Sequence, residues 1–197
     1  MATIAVTGHI DLTAETSVLV RAALDQLLRR HAGDGELVGV SCLARGADCV
    51  FAEAVLAAGG RLAVVIPSQD YRRTRVRPDH APVFDHLVEA AEDVVVLPIE
   101  TAGRQAYEAA NSVLVERADR LVAVWDGTAP TGRGGGTADT VLEARAAGVP
   151  VDVVWPDGAA RTRQERREGA ADGDAGIRPP SPGRSGTPPR RRAGRPG

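Results

Sequence analysis

The residues able to do chemistry fall in short clusters, each just after an apolar run. The densest is GRGGGTADTV, residues 132–141, where Gly134, Gly135 and Gly136 stand in a row before Thr137 and a helical pattern. Glycines let a backbone take dihedrals other residues avoid and come close to a partner. The unpaired N–H groups of a helix start favour an anion. A bound phosphate and a tight turn both satisfy this pattern. Thr7-Gly8-His9 follows the first apolar run and offers a hydroxyl, an approachable backbone and a titratable ring, or an ordinary turn. SCLARGAD, residues 41–48, puts Ser41 at a strand end, Gly46 at a sharp entry and Asp48 in a first helical turn. Arg45 either grips a phosphate with its forked donors or pairs with a surface acid. Asp126 either accepts from a ribose hydroxyl or closes a turn. Asn111 shares a helical stripe with Tyr107, Ala110 and Leu114, where an amide braces a loop or faces a ligand. Tyr71 with Arg72, Arg73, Arg75 and Arg77 forms a basic stretch, a lid over an anion or a solvated loop.

These clusters share one position in a repeating pattern. Val-rich runs at 3–8, 36–42, 61–67, 93–98, 120–125 and 150–155 are unbroken rather than alternating, as in strands buried on both faces. Helical patterns at 13–31, 47–59, 80–91, 104–118 and 137–147 lie between them. Strict alternation of strand and helix predicts an α/β, three-layer Rossmann-like sandwich with a mostly parallel sheet of about six strands. Such a sheet binds ligands beyond the carboxyl ends of its strands, where every cluster above except the helical Asn111 falls.

Composition sets the limits. The chain of 197 residues has 43% hydrophobic but only 3% aromatic residues, so Ala, Val and Leu must build the core. Cys42 and Cys49 form no disulfide framework and lack metal-ligand spacing, so neither a metal nor a cofactor is expected. With no membrane span and no basic leader, a cytoplasmic protein is expected. All 24 basic side chains are arginines; residues 157–197 hold ten of them against five acids, leaving the first 156 residues with a charge of −7. Residues 1–156 therefore read as one acidic domain and 157–197 as a disordered Pro/Gly/Arg-rich tail. Nucleic acid is not an expected partner, except weakly through that tail.

SCLARGAD resembles the Ser-x-Leu-Ala-x-Gly-hydrophobic-Asp segment of DNA-processing protein A (Smf) domains. TGHIDL resembles the start of related bacterial proteins, and GGGTADTVLEA is similar to the glycine-rich helix start of the LOG phosphoribohydrolases. Together they identify residues 3–156 as similar to the SLOG superfamily. The resemblance implies binding or sensing of a nucleotide-type small molecule by the first, second and fifth strand–helix turns, and a homodimer. The candidate binding residues are Thr7, Gly8, His9, Ser41, Arg45, Gly46, Asn111, Asp126, Gly134, Gly135, Gly136 and Thr137. The alternative it implies is a LOG-like cleavage of the N-glycosidic bond of nucleoside monophosphates. In register with the enzymatic motif, however, Thr140 stands where the catalytic glutamate belongs, leaving Asp139 and Glu143 as displaced candidates.

Overall fold

The computed structural model describes residues 2–32, 36–130, 132 and 134–162. Its elements are β1 (Ala2–Gly8), α1 (Ala14–Ala32), β2 (Leu37–Ser41), α2 (Ala47–Ala57), β3 (Arg61–Ile66), α3 (Tyr71–Thr74), α4 (Ala81–Ala90), β4 (Asp93–Val96), α5 (Arg104–Arg117), β5 (Arg120–Val124), α6 (Thr137–Ala146) and β6 (Val151–Val153). All five strand pairings are parallel, in the order β4-β3-β2-β1-β5-β6. The sheet therefore grows outward from β1 in one direction through β4, then returns to place β5 on the other side of β1. The crevice at that reversal lies beyond Gly8 and Val124, which are paired in register.

Alternate residues of the central strands feed two cores. Ile4 and Val6 of β1 pack with Val20, Leu24 and Leu28 of α1 and Phe51 and Val55 of α2. On the other face Ala5 joins Val40, Val65, Leu121, Ala110 and Leu114 of α5, and Ala144 of α6. A third cluster beside the first gathers Leu62, Val64, Tyr71, Phe84 and Leu87 under α4. The result is the three-layer sandwich expected, with helices on both faces. No described helix is long and apolar enough to cross a membrane.

The basic stretch after β3 is not a free lid. Tyr71 is buried, opens the short α3, and its arginines are engaged: Arg72 with Asp85, Arg75 with the Ala102 carbonyl, Arg77 with Asp79. The described structure continues past 156, into residues that composition assigns to the tail. Residues 157–162 dock on the domain, with Ala160 donating to Thr16 Oγ1 at 2.7 Å and accepting from the same hydroxyl at 2.8 Å. The disorder expected of 163–197 lies outside the described residues.

Thr16 is fully buried. Ending the chain after Pro156 leaves its hydroxyl only the neighbouring Thr13 Oγ1, at 3.0 Å. Such a loss is worth about 1–3 kcal/mol. We expect calorimetry to show the truncated chain melting roughly 5 °C lower; an unchanged melting temperature would show that the docking contributes nothing.

Candidate functional site

The sequence-predicted residues do reach the carboxyl edge of the sheet, but they divide into three kinds. The first kind packs the loops against one another. Gly8 faces α2 and β5 so closely that an added Cβ would run into Ala47 Cβ and lie 2.8 Å from Val124 Cβ. Gly46, at φ +85°, would place a Cβ 2.6 Å from the His9 carbonyl oxygen, which itself accepts from the Ala47 N–H at 3.1 Å. Ser41 is fully buried; its hydroxyl donates to the Asp48 carbonyl at 3.3 Å and accepts from the Leu43 N–H at 3.1 Å. Thr7 is buried beside Ala123 of β5. Arg45 sits outside, 3.8 Å from Asp79. These glycines are required by neighbouring backbone and side chains of the protein itself, and the close approach they permit is loop upon loop.

Asp48 belongs to the same knot. Burial pushes its carboxyl up to about 7, against hydrogen bonds from the backbone of Ala44 and Cys42 that favour the charged form. Burial, with the Asp48 charge nearby, also holds the Cys42 thiol well above its ordinary range, and Cys49 likewise. Neither thiol is poised to be a nucleophile.

The second kind gathers at the β1/β5 crevice. His9 Nε2 lies 2.9 Å from Asp126 Oδ1 and 3.2 Å from the Asp126 backbone nitrogen. The ring nitrogen serves one at a time: protonated it donates to the carboxylate, unprotonated it accepts the N–H. The ring also meets Trp155 edge to face at 5.4 Å. Burial opposes charge on Asp126, but hydrogen bonds from Thr128 and His9 outweigh it and hold the carboxyl well below the usual range. Two residues that sequence reasoning missed complete this group. Arg161 grips both oxygens of Asp11, at 2.9 and 3.0 Å, and approaches Asp126 at 3.5 Å. Composition places Arg161 in the tail, and nothing in the sequence pairs it with Asp11.

The third kind surrounds the glycine run. Gly134 and Gly135 take φ of +71° and +70°, whereas Gly136 is extended, so only the first two demand glycine by conformation. An added Cβ on Gly134 would collide with the Glu108 carboxylate, and one on Gly135 would sit 3.0 Å from Tyr107 Cβ, so the loop rests on α5. Asn111 Nδ2 donates to the Gly135 carbonyl at 3.2 Å and thereby braces it. Asp139 Oδ2 accepts the Gly136 N–H at 3.1 Å, so the start of α6 carries a carboxylate of its own. Thr140 is fully buried and bonded to the Gly136 carbonyl at 3.1 Å; it does not reach solvent. Glu143 accepts from Ser112 Oγ at 2.6 Å. Together Arg104, Glu108, Asn111, Gly132, Gly134, Gly135, Asp139 and Glu143 line a cleft of about 270 Å³, just below the roughly 300 Å³ at which small-molecule sites usually begin. Arg104, paired with Glu108 at 2.8 Å, is the cation among these residues. Its (i, i+4) spacing with Glu108 was legible, but nothing in the sequence set the pair opposite the glycines. Among the described residues no group of three His, Cys, Asp or Glu is disposed to hold a metal ion.

No family model and no curated protein matches the chain. Solved structures do. DNA processing protein A from Streptococcus pneumoniae superposes with a TM-score of 0.59 at 20% identity, over 79% of this chain and 51% of that one. DNA processing protein A from Helicobacter pylori gives 0.58 at 15% identity, over 81% and 68%. The chain thus spans about half of the pneumococcal protein, and the likeness is one of fold. With its parallel six-stranded sheet covered by helices on both faces, the chain has a Rossmann-like fold, shared with these DNA processing proteins.

Proposed function

We propose that the chain binds a nucleotide-type small molecule in the cleft between α5 and the glycine run. The observation carrying this reading is the mixed character of that cleft. Left-handed Gly134 and Gly135 expose backbone on one wall, and Arg104 and Asn111 offer donors. Glu108, Asp139 and Glu143 supply carboxylates able to accept from sugar hydroxyls. A sugar phosphate needs both kinds of partner; a long polyanion would meet three like charges here. The test is native purification with mass spectrometry of what is retained, then calorimetric titration with AMP and ADP-ribose. Single-stranded DNA, whose binding mode is described for the H. pylori protein, serves as the comparison ligand. Tight DNA binding without nucleotide binding would overturn the reading.

Asp139 decides how a phosphate would be received. Its carboxylate occupies the start of α6, where an anion is otherwise favoured. Asparagine still accepts the Gly136 N–H but carries no charge. We therefore expect Asp139→Asn to bind AMP about tenfold more tightly, roughly 1.4 kcal/mol. A weakened affinity would mean that Asp139 faces a sugar hydroxyl instead of the phosphate.

The placement of Glu143 and Asp139 in one cleft favours a second reading, cleavage of an N-glycosidic bond. A general acid or base must reach that bond, and Thr140, at the register of the family glutamate, is sealed beneath the loop. Incubation with nucleoside monophosphates should release little or no free base. Robust release that disappears in Glu143→Gln would promote the hydrolase reading. The homodimer implied by the family resemblance would cover apolar side chains left exposed, such as Leu142 on α6, and light scattering would measure it.

A further inference from the structure

After β6 the chain turns at Pro156–Ala159 and lays Ala160–Thr162 alongside Asp11–Thr13. Thr162 donates to the Asp11 carbonyl from its backbone at 2.6 Å and from its hydroxyl at 3.0 Å, and Thr13 N–H donates to the Ala160 carbonyl at 3.3 Å. Between these anchors Arg161 reaches inward, Nε and Nη2 to the two oxygens of Asp11 and Nη1 towards Asp126. Asp11 and Asp126 stand on the connections after β1 and β5, the two strands that flank the reversal of strand order. In a parallel sheet this crevice is where ligands enter, and carboxylates there accept from sugar hydroxyls. The guanidinium therefore fills the place of a ligand's donor groups. Its own cover is thin: Arg161 is 39% exposed, whereas Asp11 and Asp126 are 12% and 21% exposed beneath it. An exposed forked cation over two shielded carboxylates is a contact that another set of donors can exchange.

We propose that Ala159–Thr162 form an autoinhibitory strap in which Arg161 holds the carboxylates of Asp11 and Asp126 against a ribosyl ligand, and that the crevice opens when the strap lifts. The inference rests on the nucleotide-type ligand proposed above and adds the β1/β5 crevice, outside the glycine-run cleft, as a place that a ribosyl group of such a ligand occupies. The opposite role, Arg161 as a cation that grips the ligand's phosphate, is less well suited to a guanidinium whose donors already face two carboxylates.

The test uses the full chain, with ADP-ribose as the probe in calorimetric titration of wild type, Arg161→Ala and Arg161→Lys, after circular dichroism verifies folding. Arg161→Ala should bind at least tenfold more tightly than wild type. Arg161→Lys should fall between them, because an ammonium keeps the charge but loses the two-point grip. In wild type, saturation with ADP-ribose should speed amide exchange at Thr13 and Thr162, the donors that pin the strap. Equal affinity in all three proteins would reduce the segment to a structural clamp, and weaker binding by Arg161→Ala would make Arg161 a ligand contact. Either result overturns the strap while leaving the nucleotide reading intact. Binding by none of the three overturns both.

Discussion

Replacing Asp48 by asparagine is expected to stabilise the protein at pH 8 and to leave its stability at pH 4 nearly unchanged. Asp48 is 6% exposed in the first turn of α2, and burial sets its carboxyl at about 7 against an ordinary 3.8. The folded state thus holds this proton more tightly than the unfolded chain does. Stability from this group is fully present below pH 4 and is lost as pH rises towards 7, the direction set by tighter proton binding in the native state. A shift of roughly three units corresponds to at most about 4 kcal/mol, reached above pH 7. Asparagine is uncharged throughout and keeps an oxygen for the Ala44 N–H, now 3.2 Å from Asp48 Oδ2. Urea denaturation at both pH values measures the effect; equal destabilisation at both would mean that the site requires the ionised carboxylate.

The second large effect runs the other way. Gly8→Ala should destabilise the fold by about 3 kcal/mol or more, as overpacking of a rigid contact does. The added methyl would press on Ala47 Cβ and lie 2.8 Å from Val124 Cβ and 2.9 Å from the Val124 carbonyl oxygen, none of which can swing aside. Relief requires β1 to part from β5 or from the start of α2, either of which carries His9 away from Asp126. The comparison is Gly59→Ala, at φ +76° with nothing within 4 Å, where only the left-handed backbone penalty of about 1 kcal/mol applies. If denaturation curves place the two variants together, the close packing at Gly8 is not what holds the turn.

These two positions show where sequence reading succeeds and where it stops. The strands were legible because β1, β2, β3 and β5 are buried on both faces and so read as continuous apolar runs. Gly59 and Gly148, with φ of +76°, lie where the helices were expected to stop. The short α3 was not legible, since four residues cannot show a period. At the site, Gly8 was read as a place of close approach and Gly46 as a sharp entry, and protein groups crowd both. A sequence cannot say whether the approaching group is a ligand or Ala47, because glycine answers both needs identically. Asn111 left the same ambiguity: it braces the Gly135 carbonyl and also lines the cleft. Arg161 was invisible for a different reason: composition averages over a window, and the residues beyond Thr162 dominate any window that contains it.

The docking of Arg161 and Thr162 on Asp11 also bears on how the chain acquires its structure. The partners are 150 and 151 residues apart, among the longest separations the domain offers. β1 is made before β5 and waits for it to gain its second neighbour, and its loop waits longer still for Thr162. Contacts so distant in sequence close late and slow the search for the native state. During synthesis the β1–α1 connection therefore stands open until the segment after β6 has emerged, and the carboxylates of Asp11 and Asp126 meet solvent before they meet their arginine.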